Sequence, residues 1–528
     1  MPDNSSKTRY YSSLSPRSNN GGISRTEDLS TLRPSSILSD QPQASPAQEV
    51  KNLHKRESES PNLRPETLVT ADRPEPGNVS SASERSDQSS DPKQKKRLEK
   101  DKKLLKADRW LARNGHLVTY FGLYMFSILV LVRPYELVGA LSFLAATAFY
   151  FALATLMVYL PSQMAAESNL TIMTTEIKAI LAMTVLAVLT IPIAKDPGLA
   201  WEKFNDPYIK AVIIFVIMVN VLRTRKRLLG MVWLSIGIGG YLSIAALDMY
   251  FKGQFTVESY RVAVEVGVLF GNPNEMAMHF VMMTPLAITL GIVAKNKLFR
   301  LFCFALALLL VLANMVTFSR GGFLGLLAVG AVLAWKLGRK QRLNVSIASI
   351  VIGGAIILAA PGNYGLRMLS IFIPGLDPVG SSDQRKELLQ LSLLVTARNP
   401  WGIGIGNFPI VGIHNLQSHN AFTQVSSELG ILGLVAYLVF IISPFRKLAA
   451  IERKQFDAND LDWFYFMAIG FQASIIGYLV SSFFASVAYN WFIYYLIAYA
   501  VAFRRIYSID RGVEEDVEVR PLWEWKAA

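Results

Sequence analysis

Long apolar runs separated by short polar segments fill the chain from about residue 115 onward. A helix that crosses a bilayer needs roughly 17 to 25 such residues, and lipid forces the backbone of each run to satisfy its own hydrogen bonds. The pattern therefore predicts an all-α, polytopic membrane protein with about twelve transmembrane helices. We place them at residues 115–132, 137–160, 177–194, 208–222, 228–250, 276–294, 298–316, 322–337, 343–360, 421–442, 463–480 and 487–505.

Basic residues collect in every second connection between these runs. Lys and Arg are retained on the cytoplasmic side of a membrane, so loops that alternate in this way reveal the topology. The alternation predicts an even number of spans with both termini in the cytoplasm; the loop at 161–176 does not contribute. The basic segments are 223–227, 295–300, 336–342, 445–454 and 503–505.

The same pattern divides the chain into five regions. The first is rich in Ser, Pro and charge, which predicts disorder, and its end carries eight basic and two acidic residues at 93–106, suited to anionic headgroups. The predicted regions are a disordered cytoplasmic tail (1–109), spans one to nine (110–360), a periplasmic loop (361–418), spans ten to twelve (419–507) and a cytoplasmic tail (508–528).

The loop at 361–418 is long for a chain of tight turns, and loops of this length are usually functional. Within it, residues 382–397 carry apolar positions at helical spacing, which predicts a helix lying against the outer face of the bundle. A helix that covers a bundle in this way encloses a cavity.

Composition narrows the classes of partner and cofactor. Of the 528 residues 52% are hydrophobic, and we assign the formal charge of +13 to topology-setting loops rather than to nucleic-acid binding. A single cysteine, Cys303, excludes an intrachain disulfide. The glycine-rich segment 402–408 lacks the strand and helix that a nucleotide-binding βαβ unit requires. His414 and His419 are five residues apart and would point to different faces of a helix, which argues against a zinc site formed by this pair. We therefore predict no cofactor.

The densest candidate chemistry lies in residues 419–433, HNAFTQVSSELGILG. Helical spacing predicts one face that carries an imidazole above a hydroxyl stripe, formed by His419, Thr423, Ser426 and Ser427. Glu428 lies deeper, and an ionisable residue in a membrane helix is a functional candidate because it is costly there. The alternative is a polar helix start with an interfacial histidine.

Arginines on the predicted outer side need a reason, because the topology rule depletes them there. Arg320, Arg385 and Arg398 lie on that side, and a guanidinium binds phosphate oxygens in a bidentate fork. The alternative is that each anchors a helix end at the interface. Three further arginines are also outside and are not ranked by the sequence: Arg133, Arg261 and Arg367.

These residues resemble the O-antigen ligase family and related envelope polysaccharide polymerases. His419 and Asn420, nine residues, Gly430, two residues and Gly433 match its histidine motif, and Arg385 with Leu389 matches its Arg-x-x-x-Leu motif. Arg320 in SRGG resembles the family's arginine at a span end. The segments 271–287 and 398–408 are similar to others in the superfamily, and the resemblance covers about residues 115–505.

The resemblance implies a GT-C-like glycosyltransferase of the bacterial inner membrane whose active site faces the periplasm. It implies an undecaprenyl diphosphate-linked glycan as donor, inversion at the anomeric carbon and no metal. The acceptor remains open between lipid A-core (ligase), another glycan (polymerase) and a protein (O-oligosaccharyltransferase). A different class, a secondary transporter or lipid flippase, also suits twelve spans, but its polar sites usually lie near the midplane.

Joined to that chemistry, the residues take expected roles. His419 accepts the proton of the acceptor hydroxyl, and Arg320 and Arg385 hold the diphosphate as it leaves. Asn420, Arg398 and Glu428 support them, with a purely structural role for Glu428 as the alternative.

Overall fold

The computed structural model describes residues 114–513, apart from gaps at 138, 145–146, 265–269, 340–341, 359, 361, 363, 372 and 374–380. Within these residues the chain is helical and forms no sheet, so the all-α prediction is confirmed. The predicted tail at 1–109 and most of the one at 508–528 lie outside the described residues.

The main helices follow the hydropathy pattern in order. They are α1 (Asn114–Leu131), α2 (Thr147–Glu167), α3 (Thr175–Thr190), α4 (Ile209–Val221), α5 (Arg225–Phe251), α6 (Pro273–Val293), α7 (Lys297–Val316), α8 (Arg320–Leu337), α9 (Arg342–Leu358), α10 (Tyr364–Leu369), α11 (Ser381–Arg398), α12 (Ala421–Glu428), α13 (Gly430–Asp457), α14 (Trp463–Ser482) and α15 (Trp491–Arg511).

Ten helical segments among the described residues are long and apolar enough to cross a membrane, which makes the chain a multi-pass membrane protein. Each of the twelve predicted runs overlaps a helix. Two of those helices fall short of a full span, since α3 has 16 residues and α9 has 17. The 13-residue α4 continues the helical residues before it into a segment of 25 residues, Pro197–Val221. Each predicted span therefore coincides with a helix, and ten helical segments among the described residues meet the length of a full span.

Polar residues fix where several helices begin. Asn272 caps α6 by accepting a hydrogen bond from the Asn274 amide, and Pro273 takes the first helical position, where a missing N–H costs nothing. Ser319 caps α8 in the same way by accepting from the Gly322 amide. This cap fixes the residue at which α8 begins, and that residue is Arg320.

Small residues let α8, α14 and α6 approach closely. A Cβ on Gly325 of α8 would lie 2.2 Å from the Ser481 hydroxyl of α14, and one on Gly477 of α14 would lie 2.6 Å from Val281 of α6. Close contact of this kind drives helix association in membranes, where the hydrophobic effect between helices is absent. The Ser481 hydroxyl donates to the Gly321 carbonyl at 3.2 Å, which ties the end of α14 to the start of α8.

Buried ion pairs gather at the opposite end of the bundle. Glu176 at the start of α3 accepts both Nη atoms of Arg504, at 2.9 and 3.2 Å. Glu452 of α13 lies 2.7 Å from both Lys336 and Arg339 at the end of α8. These pairs join segments that the sequence predicts to be basic loops on one side of the membrane, and Arg320 lies at the other end of α8.

The tenth predicted span is not continuous, which corrects the sequence reading. The helix is interrupted at Leu429 and resumes at Gly430, whose φ is +76°. His419 lies before the first helical turn with φ of +50°, so it does not stand above Thr423 and Ser427 on a helical face. The hydroxyls of Ser426 and Ser427 bond to backbone carbonyls of their own helix instead.

Candidate functional site

A cavity of about 210 Å³ opens at the end of the bundle where α8 begins and α14 ends. Segments from five parts of the chain enclose it: α8, the residue Ile371 after α10, α11, the residues that precede α12, and the turn after α14. Its walls combine cationic and apolar side chains. The lining residues are Arg320, Leu324, Ile371, Arg385, Lys386, Leu389, Ser418, His419, Asn420, Phe483 and Phe484.

The cap of α12 holds His419 at the cavity. Asn420 is the N-cap, and its side-chain oxygen accepts hydrogen bonds from the amides of Phe422 and Thr423 at 2.9 and 3.1 Å. Ser418 donates its hydroxyl to the Asn420 carbonyl at 2.9 Å. Hydrogen bonds on both sides keep His419 in the left-handed backbone region that few non-glycine residues adopt. The imidazole is thus presented from a fixed turn rather than from a helix.

Arg385 and His419 interact electrostatically across this cavity. Burial lowers the pKa of His419 to about 4, and the positive charge of Arg385 adds to the effect. Burial also lowers the pKa of Arg385 to about 10, helped by the charges of Arg261, Arg320 and Arg367 and partly offset by Glu258. His419 is therefore neutral at pH 7 and able to accept a proton, while Arg385 stays charged.

Arg320 is the first residue of α8 and is 8% exposed. A cation at the positive end of a helix dipole is unfavourable by about 0.3–1 kcal/mol. Arg320 lines the cavity beside the N-terminus of α8, and the helix N-terminus and the guanidinium both attract negative charge.

Two further arginines lie near Arg385 but not among the residues that line the cavity, and they share one carboxylate. Glu258 is 3.2 Å from Arg367 and 3.7 Å from Arg261. Arg261 donates from Nε to the Thr317 carbonyl and Arg367 donates from Nε to the Phe318 carbonyl, each at 2.9 Å. We call Glu258, Arg261 and Arg367 the back layer. The sequence placed Arg261 and Arg367 on the predicted outer side but did not rank them. It contained no pattern that pointed to Glu258.

Two supporting residues named from the sequence lie away from this cavity. Arg398 is exposed at the far end of α11, thirteen residues beyond Arg385 and hence about 20 Å along the helix. Glu428 is buried at the end of α12 and accepts hydrogen bonds from the amides of Gly406 and Phe408. Neither residue lines the cavity.

The glycine-rich loop 400–406 fills the break between α12 and α13. The amides of Ile403 and Gly404 donate to the Ser427 and Glu428 carbonyls at 2.9 and 3.0 Å, and the Pro400 carbonyl accepts from Ile431 at 2.9 Å. These bonds replace those lost where the helix is interrupted. The hydroxyls of Thr396 and Ser426 also share a 2.9 Å hydrogen bond. Together they fix α11, which carries Arg385, against α12, which follows His419.

Within the described part of the chain, no three His, Cys, Asp or Glu residues are grouped to hold a metal ion. His414 is exposed in a short 3₁₀ turn, while His419 faces the cavity. The polar groups that line the cavity are guanidinium, ammonium, imidazole, hydroxyl and amide.

Fold and cavity together define a polytopic helical membrane protein with a cationic, half-apolar site at one end of its bundle. Residues 304–438 match the family model described as O-antigen ligase. The match confirms the family resemblance over these residues and supports a role in polysaccharide biosynthesis. The match contains Arg320, Arg385 and His419 and ends before α14. The family implies a glycosyltransferase-like enzyme with a lipid-linked glycan and an acceptor in a membrane. No curated protein matches the chain.

Proposed function

We propose that the protein transfers a glycan from an undecaprenyl diphosphate-linked donor to an acceptor hydroxyl, with inversion at the anomeric carbon. One observation carries the proposal: His419 and two arginines, Arg320 and Arg385, line the same cavity. A base and two phosphate-binding cations around one space are what a hydroxyl nucleophile and a diphosphate leaving group require.

In the proposed reaction, His419 accepts the proton of the acceptor hydroxyl as its oxygen bonds to the anomeric carbon. The bond between that carbon and the diphosphate oxygen breaks, and its electron pair leaves with the lipid diphosphate. Arg320 and Arg385 bind the phosphate oxygens and stabilise the charge that develops there. Asn420 sets the turn that orients the imidazole. No acid is required, because diphosphate is already a good leaving group.

Donor binding would also prepare the base. Arg385 contributes to the low pKa of His419 in the empty site. A diphosphate on Arg385 screens that charge, so the pKa of His419 rises from about 4 toward its ordinary value near 6.5. A base gains strength as its pKa rises, so His419 becomes a better proton acceptor once the donor is bound.

Membrane orientation follows from the basic segments. Because these cluster at the end with the Glu176 and Glu452 ion pairs, we place that end in the cytoplasm and the cavity at the periplasmic face of the inner membrane. The apolar half of the cavity wall, including Phe483 and Phe484, suits the lipid chain of the donor. A site at the end of the bundle rather than at its midplane favours catalysis over transport.

The test is transfer from a lipid-linked donor by the purified full-length chain, with lipid A-core, glycan and protein acceptors supplied in turn. We expect His419→Ala to lose about 10²–10⁴-fold in rate, the usual contribution of a general base. Arg398→Ala is the matched control, because that side chain is exposed and outside the cavity. Undiminished transfer by folded His419→Ala contradicts the proposal, and the acceptor consumed identifies the branch of the family.

A further inference from the structure

The back layer contains a carboxylate in a place where the proposed function calls for cations. Glu258 and the next residue, Ser259, have φ of +53° and +59°, in the left-handed region that costs energy outside glycine. Residues held in this way persist when surrounding contacts over-determine them, and they are found at functional sites. The contacts here are the pairing of Val257 with Arg261 across the turn and the ion pairs of Glu258.

Glu258 joins two arginines from different parts of the chain. Arg261 follows it in the same turn, and Arg367 comes from α10, where it also lies over the Tyr260 ring at 4.9 Å. Neither arginine lines the cavity, whereas Arg320 and Arg385 do. The four guanidinium groups are close enough that the charges of the other three each lower the pKa of Arg385. One carboxylate thus pairs with the two arginines of the cluster that do not line the cavity.

The two arginines hold the peptide that precedes Arg320. Their Nε atoms donate to the consecutive carbonyls of Thr317 and Phe318. Arg261 also donates from Nη2 to the Asn274 side-chain oxygen at 2.8 Å, and that oxygen accepts the Ser319 hydroxyl at 2.9 Å. Phe318 has φ of +51°, so this turn is itself held by its contacts. A continuous set of bonds therefore runs from Glu258 to the cap of α8 and to Arg320.

We propose that Glu258 is a positioning residue: its carboxylate is an internal counter-anion that keeps Arg261 and Arg367 off the substrate diphosphate and, through them, keeps Arg320 directed into the cavity. The inference rests on the proposed function, because it assumes an anion at Arg320 and Arg385. Glu258 contacts neither substrate nor cavity; it acts by occupying two cations that would otherwise compete for the anion.

Opposite effects on binding and on turnover are the signature of this role. Glu258→Gln keeps the shape of the side chain but releases the charge of both back-layer arginines. We expect the purified full-length variant to bind inorganic pyrophosphate at least threefold more tightly, because the positive charges of Arg261 and Arg367, which already act on Arg385 at the cavity, are then no longer offset by a carboxylate. Transfer at saturating donor should fall at least tenfold, because Arg320 is no longer held. Asp248→Asn is the matched control, since Asp248 pairs with Lys252 on the exposed surface and should change neither quantity.

A purely structural role predicts that affinity and turnover fall together, and that result overturns the inference. Unchanged turnover in Glu258→Gln overturns it as well. Arg367→Lys provides an independent variant: turnover should fall while pyrophosphate affinity stays within twofold, and weaker binding would make Arg367 a direct ligand and contradict the inference. Failure of the proposed function looks different, because wild-type protein would then bind no pyrophosphate in an Arg320-dependent manner.

Discussion

The acid limb of the pH–rate profile tests the site most directly. The ordinary pKa of His419 is 6.5 and the site lowers it to about 4, which corresponds to about 3 kcal/mol against the protonated imidazole. Burial is the larger cause and the charge of Arg385 the smaller. If His419 is the base, kcat/KM for donor should be constant from pH 8 to about pH 5 and then fall tenfold per pH unit below pH 4.

Arg385→Gln separates the two causes. Removing the charge should move the acid limb to higher pH, to a midpoint between 4 and 6.5, because burial continues to lower the pKa. Each profile is normalised to its own plateau, so that weaker donor binding does not obscure the midpoint. In wild-type protein, kcat at saturating donor should also show its acid limb at a higher pH than kcat/KM, since bound diphosphate screens Arg385.

The assay is initial transfer rate in detergent between pH 3.5 and 8, with protein integrity checked by size-exclusion chromatography at each pH. Arg398→Gln serves as the control, because its charge lies about 20 Å along α11 from Arg385 and should leave the midpoint in place. A wild-type midpoint near 6.5, or a limb that Arg385→Gln does not move, would refute the electrostatic reasoning.

Three further predictions address the scaffold. His419→Gln should be more stable than wild type by up to about 3 kcal/mol at pH 4 and should lose that advantage above pH 6.5. The reason is that between pH 6.5 and 4 the unfolded wild-type chain takes up a proton on His419 and the folded chain does not. Thermal melts at several pH values measure the difference. Gly430→Ala should lower the free energy of unfolding by about 2 kcal/mol or more, since its φ is +76° and a Cβ would lie 2.3 Å from the Pro400 carbonyl. Gly365→Ala is the control: its Cβ would enter open space, so the same melts should show no change. Glu452→Gln should lower the free energy of unfolding by roughly 3 kcal/mol in denaturant titrations, because Lys336 and Arg339 lose the carboxylate that pairs with them. An unchanged midpoint would contradict this.

Hydropathy predicted the helices well because membrane insertion depends on composition within each run. All twelve runs overlap helices, and residues 382–397 fall within α11. The outer position of the arginines was also readable, since charge placement in loops follows a rule that needs no tertiary contacts. The grouping of Arg320, Arg385 and His419 in one cavity is a finding of the structure, and their catalytic roles stay a prediction.

Features that depend on distant segments were not readable from the sequence. At the interruption at Leu429, backbone groups bond to the loop 400–406. No residue pattern within the apolar run predicts that contact. His419 leaves the helical face for a related reason: Asn420 caps the helix and ends the periodicity one residue early. Glu258 was missed because a lone acidic residue in a loop has no pattern until the two arginines that surround it are placed.

The break between α12 and α13 decides which parts of the protein move together. Because the carbonyls of Ser427 and Glu428 bond to the glycine-rich loop rather than to α13, α12 is joined to that loop as well as to the bundle. α11 belongs to the same unit through the Thr396–Ser426 bond. A shift of α11 would therefore be transmitted to α12 through this hydrogen bond, so Arg385 and His419 are coupled through their backbones as well as through their charges.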